Sequence, residues 1–223
     1  MSILGSTSLF FFAQGIVPPP QIGSAYGGGF FAGYISHTAN GVATHALIVA
    51  PRATGATGAG YPLPDNKYWK TSQTITAGTT STYNGAANTA AMVTAGIANH
   101  PAAQFCTGLS IGGYTDWYLP AVYELAIAYV NLKPSTEPNV THRGSNPYSV
   151  PARGSNYTAG NPAQTTVTAF QTGNSERFQT SNHWSSTQID TIQARDKSFY
   201  AGEESPNDKD FDQCVRAFRK VAL

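Results

Sequence analysis

The sequence predicts an α+β domain, and three observations carry that expectation. Two stretches have helical character, short apolar or alternating stretches precede and follow them, and a polar segment of almost fifty residues separates the second helix from the last strands. Charged residues make up only 11% of the 223 positions, against about 25% in an ordinary soluble domain. Gly (22), Pro (14) and many Thr, Ser and Asn residues take their place. Such a chain is rich in loops and poor in long amphipathic helices, which excludes a coiled coil, a helical bundle and a helical membrane protein. Thirteen basic against twelve acidic residues give a charge of +1, so no concentrated basic field is available for a polyanion.

Residues 1–25 differ from the rest and read as a docking arm, with the domain proper over residues 26–223. The apolar run Leu9-Phe10-Phe11-Phe12 is followed by Pro18-Pro19-Pro20, a stiff extended spacer. Phe10, Phe11 and Phe12 need a cover, either their own domain or a partner particle or sister subunit. No Lys or Arg precedes the run, as a secretory signal requires, and Leu9–Ala13 is too short to span a bilayer. The expectation is a protein folded in the cytoplasm without export or membrane insertion.

The first strand is expected over Phe30–Ile35 after Gly27-Gly28-Gly29, and a second, apolar on both faces, over Ala46–Ala50. The glycine-rich run Arg52–Tyr61 is a loop; lacking a Gly-Lys-Ser/Thr ending, it is not a phosphate cradle. The alanine-rich stretch Asn88–Ala98 is a short helix, and Pro101 opens a helical turn closed by Gly108. Pro120–Leu132 is the clearest helix: Val122, Leu125, Tyr129 and Leu132 recur at spacings of three and four, Glu124 favours its first turn, and Lys133-Pro134 ends it. From Ser135 to Asn182 the chain has four prolines and no core periodicity; such an insert is usually functional. Strands return at His183–Thr187, Ala194–Tyr200 and Gln213–Val221.

Candidate chemistry is sparse. The histidines His37, His45, His100, His142 and His183 are scattered, no Ser sits in a G-x-S-x-G elbow, and no H-x-x-x-H pair offers zinc ligands. His100 and His183 read as surface or packed residues. Cys106 and Cys214 either pair or remain buried thiols, and a cytoplasmic origin favours thiols. Glu203, Glu204, Asp208, Asp210 and Asp212 raise a calcium hypothesis, but their spacing fits no calcium loop and Lys209 interrupts them, so a solvated loop is expected. No cofactor, no metal and no nucleic-acid partner are expected; the cations are dispersed.

One segment is familiar. Gly112-Gly113-Tyr114-Thr115-Asp116-Trp117-Tyr118-Leu119-Pro120, followed by Glu124-Leu125, resembles the G-G-Y-x-D-W-R-L-P-x-x-x-E-L signature of the domain at the C-terminus of collagen-like bacterial adhesins, versions of which occur in phage tail proteins. His183-Trp184-Ser185-Ser186-Thr187 resembles its Y-W-S-S-T strand, and Cys214–Arg219 its closing V-R-x-V-R strand. The matches span about residue 88 to the C-terminus. Tyr118 stands where the family usually has Arg, and His183 where it has Tyr.

The resemblance implies a C-type-lectin-like fold: a small twisted sheet, two helices, and long loops that carry the binding surface. It implies that Phe30–Ile35 pairs with Gln213–Val221. Within the signature, Trp117, Trp184, Gly113 and Asp116 are expected to determine the fold, with Asp116 pairing to Arg216 or Arg219. The functional expectation is a phage virion protein of the tail or fibre tip, non-enzymatic, recognising a host surface protein or glycan, bound to other virion proteins and homo-oligomeric, a trimer being favoured. Tyr148 and Tyr157, rigid rings on the polar insert, are the candidate contact residues. A decoration or collar protein is the alternative, and an enzyme of unknown type a weaker one.

Overall fold

The computed structural model describes residues 20–58 and 65–223. Among these the elements run β1 (Ala25–Tyr26), β2 (Gly29–Ile35), β3 (His45–Val49), α1 (Arg52–Gly55), α2 (Gly85–Thr94), α3 (Pro101–Thr107), α4 (Val122–Leu132), β4 (Ser149–Val150), β5 (Asn182–Gln188), β6 (Gln193–Ser198), β7 (Glu204–Asp208) and β8 (Phe218–Ala222). The chain is thus a mixed α+β protein of antiparallel sheets and few helices. No helix among the described residues is long and apolar enough to cross a membrane.

In the first sheet β3 lies between β2 and β8, antiparallel to both, while β1 and β4 pair with opposite ends of the outer edge of β2. This corrects one expectation: Phe30–Ile35 shares a sheet with the last strand but does not pair with it. The reason is the composition of β3. Leu47, Ile48 and Val49 are wholly buried, and a strand covered on both faces belongs at the centre of a sheet, with a neighbour on each edge. The last strand is also shorter than expected. Residues Gln213–Ala217 are buried throughout and make single bridges to Lys67, His183 and Ala56 instead of a ladder. They thread between the first sheet and the second, a β5-β6-β7 meander.

The helices shift for identifiable reasons. Asn84 starts α2 by accepting from the Ala87 amide at 3.2 Å, and Gly96, at φ +107°, ends the segment before Ala98. Helix α4 starts at Val122 because Glu124 reaches back to the Ala121 amide at 2.7 Å. Val122, Leu125, Tyr129 and Leu132 all face the core. That core has two parts. In one, α4 packs with β2, β3, Tyr157, Phe170, Phe178 and Phe199; in the other, Trp69, Trp117 and Trp184 gather Met92, α3 and Val215.

A second correction concerns Glu204–Asp208, expected as loop and found as strand β7. The sequence Glu-Ser-Pro-Asn-Asp has no apolar alternation, and its proline suits only an edge. β7 is the edge of its meander, with Pro206 opposite Arg195. The segment between α4 and β5 is as irregular as expected, holding only β4 and a short 3-10 turn at Thr168–Phe170. Ahead of β2, Gly23 and Ser24 exchange hydrogen bonds with Phe31 at 2.8 and 2.9 Å, which ties residues just before Tyr26 to the sheet. Phe10, Phe11 and Phe12 lie outside the described residues.

Candidate functional site

The signature segment is architectural. Gly112 and Gly113 have φ of +61° and +81° and join Ile111 to Tyr114 through a reciprocal pair of 3.0 Å hydrogen bonds, the pattern of a two-residue I′ turn. At Gly112 the approach is close as well: a Cβ would lie 2.8 Å from the Gly28 Cα. Asp116 receives both arms of the Arg219 guanidinium, Nε at 2.8 Å and Nη2 at 3.0 Å, and Arg219 also donates to the Gly27 carbonyl and lies 3.8 Å over the Tyr114 ring. Between the two arginines weighed for Asp116, the partner is Arg219. Arg216 bonds Glu176 at 3.1 Å. Trp117 and Trp184 are buried, their indole N–H groups donating to Tyr114 and Lys67 carbonyls at 3.1 and 2.9 Å.

The two insert tyrosines part company. Tyr157 is only 2% exposed; its ring lies 5.5 Å from Tyr129 and 5.0 Å from the Lys197 ammonium. It offers no exposed face as a contact anchor, because the insert folds back and uses the ring as core. Tyr148 is half-buried and belongs to a surface group absent from the sequence expectation. Its ring stacks on Tyr83 at 4.1 Å with an interplanar angle of 11°, and Tyr123 lies 5.8 Å away. His37 stands 5.4 Å from Tyr83 and 4.3 Å from His45.

Backbone bonds fix this group. The Ser36 amide donates to the Tyr148 carbonyl at 2.8 Å, and the Tyr123 amide to the Thr82 carbonyl at 2.8 Å. Asn146 accepts from the Tyr148 amide at 3.0 Å and donates to the Tyr123 carbonyl at 3.0 Å. The stack is therefore assembled from four separate segments, which is why no local pattern in the sequence reveals it. Lys220 closes one side through Asn84 at 2.8 Å.

Electrostatically the group is quiet. Burial, then Lys220, then the second imidazole push His37 down to about 4, and burial with Lys220 lowers His45. Both rings are neutral at pH 7. Glu124 is pushed up to about 7 by burial, but its oxygens are occupied by Tyr118 Oη and the amides of Ala121 and Gly85. It is a sealed helix cap. The His37 Nε2 is buried without a hydrogen-bond partner. Flat rings can stack against a ligand, but the enclosed His37 Nε2 does not reach one, and this group sets no nucleophile beside a base.

The remaining chemistry candidates are structural. His100 is buried between Thr76 Oγ1 (2.8 Å) and the Gly96 carbonyl (3.0 Å), and His183 packs against Phe199 and Phe178. Cys106 and Cys214 are free and buried, and burial pushes the Cys214 thiol up to about 12. The acidic group is dispersed: Glu203 meets His142 at 3.1 Å and Asp210 meets Gln73 at 3.4 Å. Among the described residues no three His, Cys, Asp or Glu side chains could hold a metal ion. Cations do sit in oxygen cages, but they are lysines. Lys209 is wholly buried and donates to the carbonyls of Thr74, Asp190 and Thr191 and to Gln188 Oε1 at 2.6–3.0 Å. Lys133 likewise bonds Asn139 Oδ1 at 2.8 Å and the Glu137 and Pro162 carbonyls.

No family model matches this chain, and no curated protein does.

Proposed function

We propose that this chain is a phage virion protein, of the tail or the tip of a tail fibre, whose C-type-lectin-like domain recognises the host cell surface as a binding module and not an enzyme. The ordered likeness of Gly112–Pro120, His183–Thr187 and Cys214–Arg219 to the adhesin and tail-protein signature supports the class. The single observation that carries the recognition reading is the half-buried Tyr83–Tyr148 stack, 4.1 Å between rings, presented beside an irregular insert that is itself tied down. Rigid aromatic faces bind sugar rings or protein side chains at little entropic cost, so a host glycan or surface protein is the ligand class. In this reading the chain ahead of Gly23, with Phe10, Phe11 and Phe12, docks the domain to the particle or to sister subunits, a trimer being the favoured assembly.

The test replaces Tyr83 and Tyr148 together by alanine and measures host-cell binding of the purified protein beside its melting temperature. Binding should fall at least tenfold while the variant still melts cooperatively, at a lower temperature because both rings are mostly buried and pack against the α4 core. Tyr157→Ala, a core deletion, should lower the melt by the equivalent of about 2–4 kcal/mol. Undiminished host binding in the double variant would remove the stack from recognition. A wild-type protein that binds no host cell would turn the reading to a structural decoration or collar component.

A further inference from the structure

Of ten large apolar side chains exposed among the described residues, four lie on three neighbouring segments: Ile75 (53%), Ile189 (38%), Ile192 (43%) and Phe211 (53%). The Lys209 ammonium brings the first two segments together. It takes the Thr74 carbonyl at 2.9 Å, the Asp190 carbonyl at 2.6 Å and the Thr191 carbonyl at 3.0 Å, so these three oxygens lie within about 6 Å of one another, twice a hydrogen-bond length. Gln188 Oε1 doubles the tie, accepting from Lys209 at 2.8 Å and from the Thr76 amide at 2.8 Å. The third segment follows directly from Lys209, whose amide bonds the Ile192 carbonyl at 2.9 Å; the Phe211 amide then bonds the Asp208 carbonyl at 3.0 Å.

The charge on these segments has one sign. Asp190, Asp210 and Asp212 are exposed, and residues 72–76, 189–192 and 210–212 contain no Lys or Arg. Of the neighbouring cations, Lys70 and Lys209 are 7% and 0% exposed and spend their protons on internal oxygens, while the half-buried Lys67 lies behind Phe211, bridged to Gln213. An apolar patch with an acidic rim, held rigid before any encounter, suits a protein partner and repels nucleic acid and anionic lipid alike.

We propose that the surface formed by Ile75, Ile189, Ile192 and Phe211 docks a partner protein segment that presents apolar side chains flanked by lysine or arginine. It is separate from the Tyr83–Tyr148 stack and does not depend on it. Apolar contact supplies the affinity, while the aspartates choose the sign of the partner and speed its arrival.

The probe is a pair of labelled peptides with identical leucine and isoleucine content, one flanked by lysines and the other by glutamates, titrated into the full chain and followed by anisotropy and amide chemical shifts. The lysine peptide should bind, move the amides of residues 72–76 and 189–192, and weaken as salt rises. Ile75→Asp with Ile192→Asp should weaken it at least tenfold. Asp210→Lys with Asp212→Lys should do likewise and reverse the preference between peptides, whereas Val42→Asp, an exposed apolar position (64%) outside this surface, should leave both titrations unchanged. Equal binding of the two peptides, or shifts confined to other residues, overturns the proposal. So does a full-chain oligomer that the Ile75→Asp, Ile192→Asp variant dissociates, because the face then belongs to a second copy.

Discussion

The insert over residues 135–182 and the segment over residues 70–84 are both irregular and polar, yet they are held by different means. The insert sends three rings inward: Tyr157, Phe170 and Phe178 are 2%, 0% and 0% exposed. Its lysine cage, Lys133 with Asn139, is added to an apolar anchor that is already part of the α4 core. The 70–84 segment buries no ring fully. Thr76 (1%) and Thr79 (0%) are its deepest members, and Lys70, Lys209, Gln188 and His100 hold it through hydrogen bonds. Apolar burial is graded, worth about 25 cal/mol per Å². A polar cage is nearly all or nothing, because losing the shared donor strands every acceptor around it.

The largest effect that separates the two regions is expected from Phe178→Ala. This ring stacks on Phe199 at 3.9 Å and 7°, and the Arg216 guanidinium lies 5.2 Å from it. Its loss should cost about 3–5 kcal/mol, read as a lower denaturation midpoint of the whole domain. A change below about 1 kcal/mol would show that the insert is an appendage, and the comparison would fail. Next comes Lys209→Met, expected to cost about 1–3 kcal/mol and to raise amide exchange at residues 72–76 and 189–192 while the insert stays protected. Lys133→Met should cost less, about 1 kcal/mol, because Tyr157, Phe170 and Phe178 remain in place. Equal costs for the two lysine variants would mean that both regions depend on their cages alike.

Much of the fold was legible because it rests on local pattern. The spacing of Val122, Leu125, Tyr129 and Leu132 gave α4, the doubly apolar Ala46–Ala50 gave a buried strand, found at His45–Val49, and Pro101 with Gly108 bounded α3. What escaped was set by pairing between distant segments. The placement of β3 between β2 and β8 follows from burial on both its faces, a fact that predicted a buried strand without naming its neighbours. β7 carries no apolar alternation because it is a solvated edge. The site was less legible still. Tyr148 and Tyr157 look equivalent in sequence, nine residues apart on one polar insert, and only the return of the chain against α4 puts one inside and leaves the other at the surface. Tyr83, Tyr123, His37 and His45 carry no sequence signal for the stack, since its unit is a contact among four segments. The caged lysines are equally silent, as long charged side chains are read as solvated by default.

The smallest expected effect concerns acid, and it inverts the comparison. Each region covers a neutral histidine: His183 packs 5.6 Å from Phe178 of the insert, and His100 bonds Thr76 of the 70–84 segment. Burial, assisted by Arg216 and opposed by the Ser181 carbonyl, pushes His183 down to about 3; burial, with Lys70 and Lys209 adding to it, lowers His100. An unfolded chain takes up these protons below about pH 6.5 and the folded chain does not, so their contribution is present above that pH and is lost on acidification. Two buried carboxyls act the other way. Burial raises Glu124 to about 7 and Asp196 to about 6; each keeps a proton in the fold that the unfolded chain releases, so each adds stability as pH falls from about 7 to 4. Between pH 7 and 4.5 the two carboxyls therefore offset part of the histidine loss, to which His37, pushed down to about 4, also contributes, so the melting temperature should decline gently there and more steeply toward pH 3, where the carboxyls are protonated in both states and His183, pushed down to about 3, still differs. His183→Phe, which keeps a ring against Phe178 and Phe199, should flatten that acid limb by up to one proton, about 1.4 kcal/mol per pH unit. Amide exchange at pH 4 should then rise around Phe178 in the wild type and not in the variant, which would make the insert, the better anchored of the two regions at neutral pH, the one that loosens first in acid. An unchanged acid limb in His183→Phe would return that loss to the exposed carboxylates and leave the order of the two regions as it stands at pH 7.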